Sequence, residues 1–270
     1  MPKIVITGAS GFIGSALITR LKKENIPYVG LTRKNINGLT TISSYDDYSG
    51  DQDSILIHLA QPNNLKKNSN DEEIELLEGL VSSSWQHIIY ISSATVYGDQ
   101  IESPRKTKEE IFGYNDYTTV KLKCEKITID KGGTCLRFSN IFGHNMSNEN
   151  VISEILSQVS HPEKIVVKNM YPIRDFLWID DAINAIMQTI KIKPSGIINI
   201  GSGIGTSIEQ LVKNVLHIVN QPNKKLFSER NEKLNSILIL NINETKEILN
   251  WTPKITLEEG LSKLINYNTI

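Results

Sequence analysis

The segment Thr7-Gly8-Ala9-Ser10-Gly11-Phe12-Ile13-Gly14 constrains the fold of this chain more than any other stretch. It follows Lys3-Ile4-Val5-Ile6, a short run that reads as a buried strand. It leads into Phe12, Ile13, Ala16, Leu17 and Leu21, which recur at helical spacing. A strand that turns on glycines directly into a helix is the opening unit of a parallel sheet. Gly8 permits the tight turn, Gly11 lets a ligand approach the backbone, and Gly14 lets the helix pack closely on the sheet. The helix start offers unpaired N–H groups and the positive end of a dipole. Gly8, Ser10, Gly11, Phe12, Ile13 and Gly14 are therefore expected to cradle the pyrophosphate of a dinucleotide, the alternative being a glycine turn without a ligand.

The pattern continues along the chain. Strand-like runs at 28–31, 54–59, 87–92 and 134–138 alternate with helical patterns, which predicts an α/β chain with a doubly wound parallel sheet. A turn-rich stretch at 46–53, too short for a crossover helix, joins the third strand region to the fourth. From His144 onward the alternation weakens into a helix near 149–160, a strand at 164–167, a helix at 180–190, a strand at 196–200 and helices at 207–219 and 256–267. The expected organisation is a dinucleotide-binding lobe over residues 1–143 and a small, mostly C-terminal α/β substrate lobe over 144–270. The second is interleaved with elements returning to the first at about 175–203.

Charge excludes several partners. The 270 residues hold 29 Lys and Arg against 30 Asp and Glu, so no global field draws in nucleic acid or an anionic membrane, and anion recognition must be local. No apolar run approaches the roughly 18 residues of a membrane helix, and no signal-peptide pattern precedes the first strand, so a cytoplasmic enzyme is expected. Cys124 and Cys135 lack metal-ligand spacing and read as packing residues, and no metal site is expected.

Cofactor choice should be set at the end of the second strand, which reads Gly30-Leu31-Thr32-Arg33-Lys34. A carboxylate there would hold the ribose 2′-hydroxyl of NAD. Thr32 can instead hydrogen-bond a 2′-phosphate, and the planar fork of Arg33 can pair with it. NADP(H) is therefore expected over NAD(H), unless Arg33 and Lys34 are solvated loop charges. Tyr117 and Lys121 fall one helical turn apart. A tyrosine is a poor acid or base at neutral pH until a neighbouring cation favours its phenolate, so the pair reads either as a general acid or base or as a packed ring beside a solvated charge. Ser93 sits at the carboxyl end of a predicted strand, where parallel sheets place their chemistry.

Together these motifs resemble the extended short-chain dehydrogenase/reductase family, the nucleotide-sugar epimerases, dehydratases and reductases with a Rossmann-type fold. Further markers are Ile57-His58-Leu59-Ala60, Ser92 to Gly98, Leu136 to Gly143, Arg174-Asp175-Phe176 through Asp180-Asp181, Asn199 to Gly203, and Trp251-Thr252-Pro253 before Leu257 to Leu261. The resemblance covers essentially the whole chain. It implies that Ser93 polarises the sugar carbonyl, that Tyr117 exchanges the proton, and that Lys121 holds the nicotinamide ribose and tunes Tyr117. Leu59 and Ala60 would border the cofactor. Asn140 and Arg174 match positions that contact the substrate diphosphate, and Thr95 matches one that touches the sugar. Arg174 could alternatively pair with Asp175 or Asp181.

Departures from the family pattern narrow the reaction. The dehydratases carry an Asp-Glu pair where this chain has Ala94 and Thr95, and the decarboxylases carry a Glu near Thr95. Both reactions are therefore disfavoured. The resemblance leaves NADPH-dependent reduction of a nucleotide-linked 4-keto-6-deoxy sugar at C4, with an NAD-dependent nucleotide-sugar 4-epimerase as the alternative and a non-catalytic dinucleotide sensor as a third reading. Residues 61–84 offer one amphipathic stretch around Ile74 to Val81, shorter than the helix from which relatives build a four-helix dimer interface. Monomer and homodimer both stay open.

Overall fold

The computed structural model describes residues 2–61, 72–111, 114–161, 163–230 and 236–268. The chain begins with β1 (Lys3–Thr7), α1 (Phe12–Lys23), β2 (Tyr28–Thr32), β3 (Thr40–Thr41) and β4 (Ser54–His58). It continues through α2 (Glu72–Ser82), β5 (His87–Ser93), α3 (Asp116–Asp130), β6 (Thr134–Phe138), β7 (Asn140–Phe142), α4 (Val151–Ser157) and β8 (Lys164–Asn169). Next come β9 (Ile173–Trp178), α5 (Ile179–Ile192), β10 (Gly196–Ile200), β11 (Gly205–Ser207) and α6 (Ile208–Ile218). The last elements are β12 (Lys225–Arg230), β13 (Ile237–Leu238), α7 (Asn243–Leu249) and α8 (Leu257–Asn268).

Seven strands form one sheet in the order β10-β6-β5-β4-β1-β2-β3, and every neighbouring pair is parallel. This is the doubly wound, Rossmann-type arrangement, with its order reversing between β1 and β4. Both faces are covered, so the strands are apolar on both sides. Ile4 and Ile6 of β1 cluster with Leu17 and Leu21 of α1 and Ile186 of α5. Val5, between them, faces the other way into Leu77 and Leu80 of α2 and Val120 of α3. Cys124 and Cys135 are both buried and unpaired within that second cluster.

The remaining strands lie outside the main sheet. β9 pairs with β7, β11 and β13, and β8 pairs with β12. Several of these, with β3 and α7, have no counterpart in the sequence expectations. Strands of two or three residues are shorter than the period needed to reveal them. The 46–53 stretch is entered by a single 3₁₀ turn at Tyr45–Asp47 with a buried Tyr45 ring. The amphipathic stretch at Ile74 forms α2, while residues 62–71 of the same region lie outside the described residues.

Candidate active site

The glycine turn lies where the sequence places it, at the carboxyl end of β1 beside the switch point. Gly8 has φ +66°, and a Cβ there would come within 2.8 Å of the Ala60 nitrogen. A Cβ on Gly14 would run into the Gly8 carbonyl oxygen, so the start of α1 can approach the turn only without a side chain. Gly11 is the N-cap, with no side-chain cap and no acidic residue in the first turn. The amides of Phe12 and Ile13 therefore belong to a helix start left open for an anion.

Thr7 locks the opposing rim. Its Oγ accepts from the amides of Leu59 at 3.1 Å and Ala60 at 3.2 Å and lies 2.9 Å from Nδ1 of His58. With both lone pairs occupied, the hydroxyl donates to Nδ1, which assigns the ring proton to Nε2. Burial, and then the nearby Lys121 charge, depress the His58 pKa to about 3, so the ring is neutral. His58 is thus a structural element of the crevice.

A cavity of about 560 Å³ opens over this turn, bordered by Gly8, Ser10, Gly11, Thr32, Arg33, Leu59 and Ala60. Thr32 lies at the rim of this cavity, its hydroxyl buried, 3.0 Å from Ser10 Oγ and accepting the Lys34 amide at 3.1 Å. Arg33 and Lys34 are the exposed cations of that strand end, the Arg33 guanidinium 5.9 Å from the Tyr45 ring centre. Tyr45 in turn accepts the Gly8 amide at 3.3 Å on its hydroxyl.

A second cavity of about 610 Å³ is lined by Ser93, Tyr117, Asn140 and Arg174, with Ile13 from the glycine turn. Gln61 borders both cavities, so they meet along one cleft. Ser93 ends β5. Its Oγ accepts from the Thr95 amide at 3.2 Å and the Thr95 hydroxyl at 2.9 Å, which leaves the Ser93 O–H to donate outward. Thr95 sits beside Ser93 and donates to it through both its amide and its hydroxyl. Tyr117 sits in the first turn of α3, which Asn115 caps by accepting the Thr118 amide at 3.0 Å.

Lys121 is one turn further along, 1% exposed, with Nζ 5.8 Å from the Tyr117 ring centre. Its strongest partner was not legible in the sequence. Glu73 of α2 accepts from Nζ at 3.0 Å and also from the Tyr90 hydroxyl at 2.8 Å. Asn140 donates to the Asp175 carbonyl at 3.3 Å. Arg174 pairs with neither Asp175 nor Asp181. Its NH1 donates to the carbonyls of Ile173 and Ser236, and its NH2 to Asp99 at 3.0 Å and to Ser236 Oγ. Among the described residues, only Nε–H of the guanidinium is without such a bond, and Asp99 is a second residue that sequence reasoning missed.

Several other motifs are cross-ties. Asp175 accepts the amides of Ser202, Gly203 and Leu240 and the Ser202 hydroxyl. Burial raises its pKa, and these donors oppose that shift. Asp181 accepts the amides of Lys254 and Ile255, anchoring the segment after Trp251. Asn199 accepts the Tyr97 hydroxyl at 2.7 Å and donates to the Arg105 carbonyl. His144 packs its ring against Trp178 and Tyr267. Among the described residues there is no cluster able to hold a metal ion, and no helix is long and apolar enough to cross a membrane.

An uncapped glycine turn at the switch point, opening beside a Ser-Tyr-Lys group, defines a dinucleotide-dependent enzyme site. Residues 4–201 match the model of the NAD dependent epimerase/dehydratase family, and the chain belongs to that family. It is 25% identical over 304 residues to the dTDP-4-dehydro-6-deoxyglucose reductase of Escherichia coli, covering 97% of this chain and 96% of that protein. It is 23% identical over 303 residues to the UDP-glucose 4-epimerase of Halalkalibacterium halodurans, covering 93% and 90%. In fold it is similar to the UDP-glucose 4-epimerase of Thermotoga maritima solved with UDP-glucose, with TM-score 0.85, 20% identity and coverage of 99% and 98%. RMD from Pseudomonas aeruginosa complexed with NADPH superimposes with TM-score 0.84 at 20% identity, covering 98% and 97%.

Proposed function

We propose that this enzyme reduces a nucleotide-linked 4-keto-6-deoxy sugar at C4, using NADPH. The observation that carries the reading is the end of β2, where Arg33 borders the dinucleotide cavity and no carboxylate stands in that strand end. A guanidinium there suits a 2′-phosphate, while the ribose diol of NAD calls for an acceptor. Gly8, Ser10, Gly11, Phe12, Ile13, Gly14, Leu59 and Ala60 would hold the pyrophosphate and flank it. Bound NADPH would supply the hydride.

The chain's own residues supply the rest. Ser93 donates its free O–H to the ketone oxygen, drawing electron density from C4. Tyr117 gives its phenolic proton to the alkoxide as it forms, and Lys121 holds the cofactor ribose and stabilises the phenolate left behind. Asn140 and Arg174 would meet the substrate diphosphate, with Asp99 yielding the guanidinium to it. Neither Ala94 nor Thr95 adds the acid and base that elimination of water across the 5,6 bond requires.

Steady-state kinetics with a dTDP- or UDP-linked 4-keto-6-deoxy sugar test this reading. NADPH is expected to exceed NADH in kcat/KM, and Tyr117→Phe is expected to lower kcat by about 10²- to 10⁴-fold. A Tyr117→Phe enzyme reducing the ketosugar at the parental rate rejects the site. The similarity to 4-epimerases supports a second reading in which the same residues serve a retained NAD. Stoichiometric NAD in the purified protein, seen by native mass spectrometry, would favour that alternative. The working unit is a monomer or a homodimer, which light scattering distinguishes; α2 exposes Glu72, Glu75 and Glu78 and α3 exposes Thr119, Lys123 and Lys126.

A further inference from the structure

A buried carboxylate beside the Ser93, Tyr117 and Lys121 group has no part in the chemistry described so far. Glu73 enters from α2 at 2% exposure, and its Oε1 takes both the Lys121 ammonium and the Tyr90 hydroxyl. Nζ of Lys121 also donates to the Ile91 carbonyl at 3.3 Å. An ammonium has three donors, so α2 and β5 hold two of them and orient the third. Taking the assignment of Tyr117 and Lys121 as given, we propose that Glu73 is a positioning residue for catalysis. It fixes the Lys121 ammonium beside Tyr117 and offsets its charge there, setting the pH range in which Tyr117 exchanges its proton.

Packing gives no reason for the carboxylate. The contact between α2 and α3 is already apolar through Leu77, Leu80 and Val120. A buried ion pair is seldom more stabilising than an apolar pair of the same volume. Removing one partner, by contrast, leaves an uncompensated charge, so Glu73 and Lys121 depend on each other. The second carboxylate oxygen, Oε2, is buried without a hydrogen-bond partner among the described residues. Among the described residues, the group is thus held by its charge partner and one hydroxyl.

His58 from β4 stays neutral, its pKa depressed to about 3. Tyr90 from β5 is pushed well above the ordinary tyrosine range, chiefly by burial. Burial also pushes the Cys124 thiol of α3 up to about 12. Glu125 of α3 is matched by Arg137 of β6, which donates to it through Nε at 2.8 Å and through NH2. Among the described residues, Arg174 and Glu149 share the Tyr117 cavity and Asp116 precedes Tyr117 in α3, while Lys121 and Glu73 form the buried ion pair beside its ring.

The test is the pH dependence of kcat/KM in Glu73→Gln, which keeps the shape and an acceptor but removes the charge. Removing a negative charge makes the potential at both Lys121 and Tyr117 more positive. The limb of the profile that reports the pair therefore moves to lower pH, whichever direction of proton transfer is rate-limiting, by about one unit. Tyr90→Phe removes only a donor to Glu73. It should move the same limb to higher pH by a few tenths of a unit, and it carries the test if Glu73→Gln does not fold. Limbs within about 0.2 unit of the parent in the folded variants, whatever the loss in rate, would show that Glu73 merely packs. If Tyr117→Phe retains full activity, the underlying site assignment has failed instead, and the inference falls with it.

Discussion

In the proposed reading, cofactor choice rests at the residue scale on Arg33. Thr32, its neighbour, is buried against Ser10 and the Lys34 amide, so Arg33 and Lys34 are the exposed cations that this strand end presents to the cavity, and of the two only the guanidinium has a planar fork to match a 2′-phosphate. A charge-assisted hydrogen bond of this kind contributes about 1.5–3 kcal/mol. Arg33→Ala is therefore expected to lower kcat/KM with NADPH by about 10- to 100-fold and to leave the value with NADH nearly unchanged. Equal losses with both cofactors would mean that Arg33 only shapes the loop. Ser93, Tyr117 and Lys121 were legible in the sequence because each sits at a fixed offset from a strand end or within one helical turn. Glu73 was not, because among Glu72, Glu75 and Glu78 it looks like one more residue of a solvated acidic face. Only the packing of α2 against Tyr90 turns it inward.

At the element scale, the motifs in the second half of the chain act as ties between segments distant in sequence. Asp175 on β9 receives donors from the turn after β10 and from Leu240, beyond β13. Asp175→Asn would turn an amide NH₂ toward some of these donors. A loss of about 3 kcal/mol in unfolding free energy is expected from urea titration, and a loss below about 1 kcal/mol would show that the tie is dispensable. The motif was visible in the sequence as a pattern, but its partners were not, since no local periodicity links residue 175 to residue 240. The same reason hides the Asp99 clamp on Arg174, 75 residues away. The seven-stranded sheet was more legible because each βαβ unit repeats a local pattern that hydrophobic period reveals. The short strands β11 and β13 have no period to read.

For the molecule as a whole, buried neutral imidazoles set the acid side of stability. His58 is held far below the ordinary histidine value, and His87 is lowered too, in each case mainly by burial. Below about pH 6.5 the unfolded chain takes up protons that the folded state refuses. The stability tied to these rings is therefore complete above that pH and is lost as pH falls toward the His58 value of about 3. The slope for one such ring is about 1.4 kcal/mol per pH unit. Chemical unfolding between about pH 5 and 7 should show it, and His58→Gln should flatten it by about one proton's worth. An unchanged slope in that variant would place the acid sensitivity elsewhere.

The same Thr7–His58 link has a kinetic consequence. The Thr7 hydroxyl stitches the end of β1 to Leu59, Ala60 and His58, so the floor of the cleft is cross-linked by the protein's own groups and needs no ligand to tie it together. Little of the association free energy goes into ordering that floor. Capture of the cofactor should then proceed at a rate governed by encounter and orientation, in a single phase, with no slow rearrangement of the glycine turn to follow.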